Sequence, residues 1–121
     1  MPELPEVETI KNQLLEKIRG KKIKAVDIRL PKMIQGISVK EFKKIIEGAT
    51  IKDIERRAKL LIINLSNGYS LVIHLKLTGQ IIYLSQKFHA YRQAGKVKIQ
   101  KYSHVIYKFT DGGILLHNDL R

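Results

Sequence analysis

The 121 residues include no cysteine, which excludes disulfides and any thiolate-bound zinc site from this chain. No apolar run approaches the roughly 20 residues that a membrane-spanning helix needs. A secretory signal is equally ill-matched, because Met1-Pro2-Glu3-Leu4-Pro5-Glu6-Val7-Glu8 holds two prolines and three acids. The most informative absence is of negative charge. Between Arg56 and Thr110 there is no Asp or Glu, whereas ten residues are Lys or Arg. The rest of the chain is nearly balanced, with 13 basic and 11 acidic residues, and the net charge is +12. A long basic stretch free of acids suggests a surface that faces phosphates, and so a polyanionic partner. A cytoplasmic, nucleoid-associated location and a monomer are expected.

What is present fits one domain spanning residues 1–121, since 44% apolar residues can build a single core. Val7, Ile10, Leu14, Leu15 and Ile18 recur at three- and four-residue steps, which predicts a helix over 5–19 closed by Gly20. Residues 22–30 alternate as a strand, with Val26, Ile28 and Leu30 on one face, until Pro31 and Gln35-Gly36 break the pattern. Ser38-Val39-Lys40-Glu41 fits a capping box before a short helix lined by Val39, Phe42, Ile45 and Ile46 and stopped at Gly48. A strand near 50–56 follows. Strands over 60–65 and 69–77 are joined by Ser66-Asn67-Gly68, a strong hairpin signal. Residues 80–84, 103–109 and 114–117 read as further strands, with a turn at Thr110-Asp111-Gly112-Gly113 and a basic loop over 85–102. The expected class is α+β, mainly β: a two-layer β-sandwich or flattened barrel flanked by two helices.

Candidate chemistry starts at the amino terminus. Loss of Met1 would give Pro2 a free secondary amine, and α-amino groups titrate near pKa ~8, so a useful fraction is unprotonated at neutral pH. Such an amine can attack an electrophilic carbon and form an iminium. Glu3 stands beside it to take or give a proton, and Glu6 and Glu8 follow within a turn. The same residues also suit an ordinary helix start, where proline and acids are favoured. Lys59 precedes the apolar run Leu60-Leu61-Ile62-Ile63. Held at the mouth of a strand it could position a phosphate or move a proton; otherwise it is a solvated surface lysine. His74 shares a strand face with Val72 and Lys76, opposite Leu71, Ile73, Leu75 and Leu77, without metal-ligand spacing around it.

The opening Pro2-Glu3-Leu4-Pro5-Glu6-Val7-Glu8-Thr9-Ile10 closely resembles the amino terminus of bacterial formamidopyrimidine-DNA glycosylases. Four further blocks follow in that family's order: Arg56-Arg57-Ala58-Lys59, His74-Leu75-Lys76-Leu77-Thr78-Gly79, His104-Val105 and Asn118-Asp119-Leu120-Arg121. The resemblance therefore covers essentially the whole chain. It implies base-excision repair of oxidised purines, 8-oxoguanine and formamidopyrimidines, in damaged double-stranded DNA by combined glycosylase and abasic-site lyase chemistry. On that resemblance Pro2 is the nucleophile, Glu3 the acid/base that assists sugar-ring opening, and Lys59 a second catalytic amine. Glu6 matches a residue placed near the active site. Arg57, His74, Tyr102 and His104 match DNA contacts, and Arg121 matches an arginine directed at the base opposite the lesion. Leu77 stands where relatives place an intercalating side chain.

Some positions depart from the family pattern. Tyr102 replaces a common histidine, and can donate a hydrogen bond to a phosphate but carries no charge. Leu77 replaces a common methionine and is less pliable. Relatives continue past Arg121 into a Phe-Gly pair, a helix–two-turn–helix domain and a zinc finger, so the resemblance implies an amino-terminal catalytic domain with weak or no activity alone. No cofactor is expected within this chain, the family's structural zinc lying outside it. Two other readings remain open at this point: a non-catalytic DNA-binding module, and an endonuclease VIII-like glycosylase for oxidised pyrimidines. Leu4-Pro5 argues against the latter, since that branch commonly has glycine before the second proline.

Overall fold

Val7, Leu14 and Ile18 are almost completely buried, so the helical spacing does set an inward stripe along α1 (Leu4–Ile18). The helix ends where the Gly20 amide turns to donate to the Ile51 carbonyl (2.8 Å). This is a computed structural model, and it describes residues 4–75, 79–86 and 103–119. Strand β1 (Ile23–Ile28) is shorter than the alternation implies. A bulge between Ile23 and Ala25 puts both Ile23 and Val26 in the core, and a 3-10 turn at Pro31–Met33 takes Leu30 out of the strand. Helix α2 (Val39–Ile46) is capped by Ser38, whose Oγ accepts from the Glu41 amide (3.1 Å), and it buries Phe42 and Ile46.

Six strands follow: β2 (Ile51–Arg57), β3 (Leu60–Leu65), β4 (Ser70–His74), β5 (Gly79–Leu84), β6 (Ser103–Phe109) and β7 (Ile114–Asp119). All pairings are antiparallel and form two sheets, β2-β3-β4 and β1-β6-β7-β5. Of the two expected architectures, the sandwich is the one adopted. Inward residues of both sheets, such as Leu61, Ile63, Ile73, Val105, Tyr107 and Phe109, share one core with the apolar stripe of α1. Helix α1 lies against β2, β3 and β5, and α2 lies against β1. Strand β4 ends at His74, and β7 runs two residues past His117 to Asp119. Most of the expected 85–102 loop lies outside the described residues.

Register shows which ends come together. Arg57, Leu60 and His74 are aligned at one end of the three-stranded sheet. Gly79 pairs with Asp119, and Ser103 with Asn118, at the matching end of the other sheet. The Gly79 amide at the start of β5 donates to the carbonyl of Leu75, the residue after β4 (2.8 Å), which ties one sheet to the other. A Cβ on residue 79 would stand 2.1 Å from that carbonyl oxygen, so only glycine fits. Gly79→Ala should therefore cost about 1–3 kcal/mol by the usual scale of overpacking, read as a lower urea midpoint. An unchanged midpoint would refute this close approach of Gly79 to Leu75.

Candidate functional site

The pairing of Arg57 with Leu60 leaves Ala58 and Lys59 as a two-residue hairpin turn. Such turns need positive φ at the first position and usually place Gly, Asn or Asp there. Here Ala58 takes φ +54, the only non-glycine positive φ among the described residues. A left-handed alanine costs on the order of 1–2 kcal/mol, so neighbouring contacts must hold it. Arg56 supplies one: its Nη1 donates to the Ala58 carbonyl (3.0 Å). Its Nε donates to Glu8 Oε1 on α1 (2.7 Å), while Lys11 Nζ meets Glu8 Oε2 (2.7 Å). Lys59 is half-buried on this turn, which Arg56 ties to the amino-terminal half of α1.

Alternation explains why two adjacent arginines part company. Arg56 points to the inner side of β2 and reaches α1, whereas Arg57 points outward and is exposed. Arg57, Leu60 and His74 then form one cross-strand row on the outer face, with Arg57 and His74 two strand spacings, or about 10 Å, apart. The neighbouring row holds Glu55, Ile62 and Val72. Its one acid is occupied, since Asn64 Nδ2 donates to Glu55 Oε2 (2.6 Å) and Ser70 Oγ donates to Asn64 Oδ1 (2.7 Å). The outer face thus presents cationic or protonatable groups at its working end, with its nearest carboxylate engaged.

The Arg56 hydrogen bond, then that of Lys11, hold the Glu8 carboxyl below the ordinary carboxylate range. A folded-state pKa below the unfolded one stabilises above the unfolded value, and the gain disappears as pH falls through the folded value. The unfolding midpoint of wild type should therefore exceed that of Glu8→Gln near neutral pH, and the gap should close between about pH 5 and pH 3. A gap independent of pH would contradict this assignment.

Among the other expected site residues, Glu6 is exposed on the first turn of α1, within one turn of Glu8. His104 is half-buried in β6, and its carbonyl accepts from the amides of Arg29 (2.8 Å) and Leu30 (3.2 Å), so its backbone anchors the chain where it leaves β1. Pro2, Glu3, Leu77, Tyr102 and Arg121 lie outside the described residues. Their described chain neighbours Leu4, Leu75, Gly79, Ser103 and Asp119 all belong to the same end of the sandwich as Lys59. A groove of about 800 Å³ also opens between β4 and residues 30–37, with His74, Tyr107 and His117 among its walls. Complete burial drives the Tyr107 phenol well above its ordinary pKa, so it is neutral there.

Sequence reasoning passed over Glu8 and Arg56 as a pair, because 48 residues separate them. It also passed over Ser103, which faces Asn118 across β6 and β7. Among the described residues, Ser103 Oγ, Asn118 Nδ2 and Asn118 Oδ1 are buried without hydrogen-bond partners. Among the described residues no group of three or more His, Asp or Glu could hold a metal ion, and there is no cysteine to supply a thiolate. No helix of the described residues is long and apolar enough to cross a membrane.

Fold and site together define a two-sheet antiparallel sandwich whose helix start, lysine turn and basic outer row meet at one end. The chain belongs to the formamidopyrimidine-DNA glycosylase family: residues 1–121 match the description "Formamidopyrimidine-DNA glycosylase N-terminal domain". It is 40% identical over 121 residues to the formamidopyrimidine-DNA glycosylase of Pelotomaculum thermopropionicum, covering all of this chain and 41% of that protein. Identity to the enzyme of an Exiguobacterium species is 42% over 121 residues, covering all of this chain and 40% of that one. Among solved structures, the Lactococcus lactis glycosylase bound non-covalently to DNA with an AP site superposes with a TM-score of 0.83 at 32% identity, covering 98% of this chain and 42% of that one. The same enzyme with DNA containing FAPY-dG gives 0.84 at 32% identity, covering 98% and 41%. The chain spans about two-fifths of the length of these relatives.

Proposed function

We propose that this chain is the catalytic amino-terminal part of a DNA glycosylase and abasic-site lyase that removes oxidised purines from duplex DNA. The observation that carries the reading is the convergence, in a chain of this family, of the α1 start, the Lys59 turn and the Arg57–His74 row at one end of the sandwich. The lesion nucleotide must leave the stack before its sugar can be attacked. Pro2, freed of Met1, then bonds to C1′ through its nitrogen as the bond to the base breaks, and the adduct becomes a covalent iminium once the C1′–O4′ bond breaks and O4′ takes up a proton. Glu3 serves proton transfer as the sugar ring opens, with Glu6 nearby. The elimination steps that follow cut the strand.

Lys59 supplies a second amine at this end, and Arg57, His74, His104 and Tyr102 contact phosphates. Arg121 addresses the base opposite the lesion, and Leu77 fills the gap left by the extruded nucleotide. Damaged double-stranded DNA is the partner and the cytoplasm the location. No cofactor is assigned to this chain, and a zinc finger would lie in sequence beyond residue 121. Titratable incision of duplexes carrying 8-oxoguanine opposite cytosine, or an abasic site, tests the reading. Cleavage of the abasic duplex supports it; cleavage of neither duplex by protein lacking Met1 contradicts it for this chain.

The phosphate face has a separate test. Arg57→Ala should lower affinity for intact and lesion-bearing duplex alike, and should reduce the slope of log K against log salt by about 1. An unchanged slope would remove Arg57 from the interface.

A further inference from the structure

We infer that Glu8 and Arg56 are a positioning pair that holds the Lys59 turn in its strained shape against the start of α1. The inference rests on the functional reading only for what Lys59 does; the clamp itself rests on geometry. Glu8 lies one helical turn from Leu4, the first described residue after Pro2 and Glu3. Its two carboxylate oxygens take separate cations, Oε1 from Arg56 and Oε2 from Lys11, so the carboxylate is held from both sides. Arg56 spends its Nε on Glu8 and its Nη1 on the Ala58 carbonyl, the peptide oxygen immediately before Lys59.

One planar guanidinium therefore spans from the helix to the turn, and fixes the distance between them. Ala58 shows why a fixed span matters. Its φ of +54 is a conformation that alanine abandons unless neighbours enforce it, and the Arg56 hydrogen bond falls on its own carbonyl. Glycine at this position would give the shape without strain but also without rigidity. An alanine held by a fork gives one geometry. Ion pairs as accessible as this one add little net stability, so the use of the pair is placement. Neither residue needs to touch the substrate; both act through Lys59.

Lysine at position 56 separates the two tasks of the arginine. A single ammonium can still pair with Glu8, but it lacks the planar fork that reaches the Ala58 carbonyl at the same time. The test compares wild type with Arg56→Lys, Arg56→Met and Glu8→Gln in the full chain. Backbone amide NMR reports Ala58 and Lys59, borohydride trapping on an abasic duplex reports chemistry, and a reduced abasic-site duplex reports affinity.

The expected result is displaced Ala58 and Lys59 signals in all three variants, with trapping slowed by about 10- to 100-fold and duplex Kd within about 2-fold of wild type. Adding Ala58→Gly to Arg56→Met should recover part of the trapping rate. Wild-type signals and rate in Arg56→Lys would overturn the inference. So would an affinity loss equal to the rate loss, which would make Arg56 a DNA contact. If wild type itself forms no adduct, the functional reading fails, and the amide signals alone decide the clamp.

Discussion

Replacing Lys59 with alanine is expected to slow covalent trapping of an abasic duplex by about 100-fold, the lower range for loss of a positioned acid–base group. The side chain is half-buried on a two-residue turn, and Arg56 ties that turn to the helix that follows Pro2 and Glu3. Duplex affinity should fall far less than the rate. Lys59→Arg then separates two tasks. Arginine keeps the charge and can hold a phosphate, but it does not release a proton near neutral pH. Affinity restored without rate would assign proton transfer to Lys59; rate restored with affinity would assign phosphate positioning. A Lys59→Ala protein that traps as fast as wild type would remove Lys59 from the chemistry altogether.

The second large effect concerns the wall behind the turn. Leu61 is fully buried, pairs with Arg56 across the β2–β3 ladder and with Ile73 across β3–β4. Leu61→Ala deletes buried methyl groups and leaves a cavity, at a cost of about 2–5 kcal/mol. Domains of this size are stable by only about 5–15 kcal/mol, so the variant should lie close to its threshold. Urea unfolding should show a much lower midpoint with an unchanged slope. A loss under about 1 kcal/mol would mean that β3 is not the centre of the core.

How much of this could be read in advance differs from element to element, for physical reasons. The hairpin at Ser66-Asn67-Gly68 was legible because its residues carry the turn: Gly68 takes φ +88, and Asn67 Oδ1 accepts from the Tyr69 amide (3.1 Å). The Ala58–Lys59 turn was not, since neither residue favours positive φ, and the Arg56 contact to the Ala58 carbonyl that helps hold the shape is not recorded in any turn residue. Strand β1 was read two residues too long at its far end, because the 3-10 turn at Pro31–Met33 takes Leu30 out of the strand, and the bulge that buries Ile23 beside Val26 was not legible in the alternation. Ser38 capped its helix as expected, a local interaction written in four consecutive residues.

The candidate site divides in the same way. Glu6, Arg57, Lys59, His74 and His104 were named from the order of motifs, and register then explains why Arg57 and His74 share a face. The Glu8–Arg56 contact could not be named, because strand pairing and helix docking bring its members together and no local spacing records that. The acid-free stretch from Arg56 to Thr110 signalled a phosphate-facing surface, but not which of its cations lie outward. Arg56 itself points in.

The measurement that tests the central claim most directly is borohydride trapping on an abasic-site duplex, with intact mass establishing that Met1 is absent. Wild type should form a covalent protein–DNA adduct, and Pro2→Gly should reduce it severely while leaving the fold and duplex affinity in place. Absence of an adduct from wild type lacking Met1, or an equal yield from Pro2→Gly, would contradict an amino-terminal proline nucleophile in this chain.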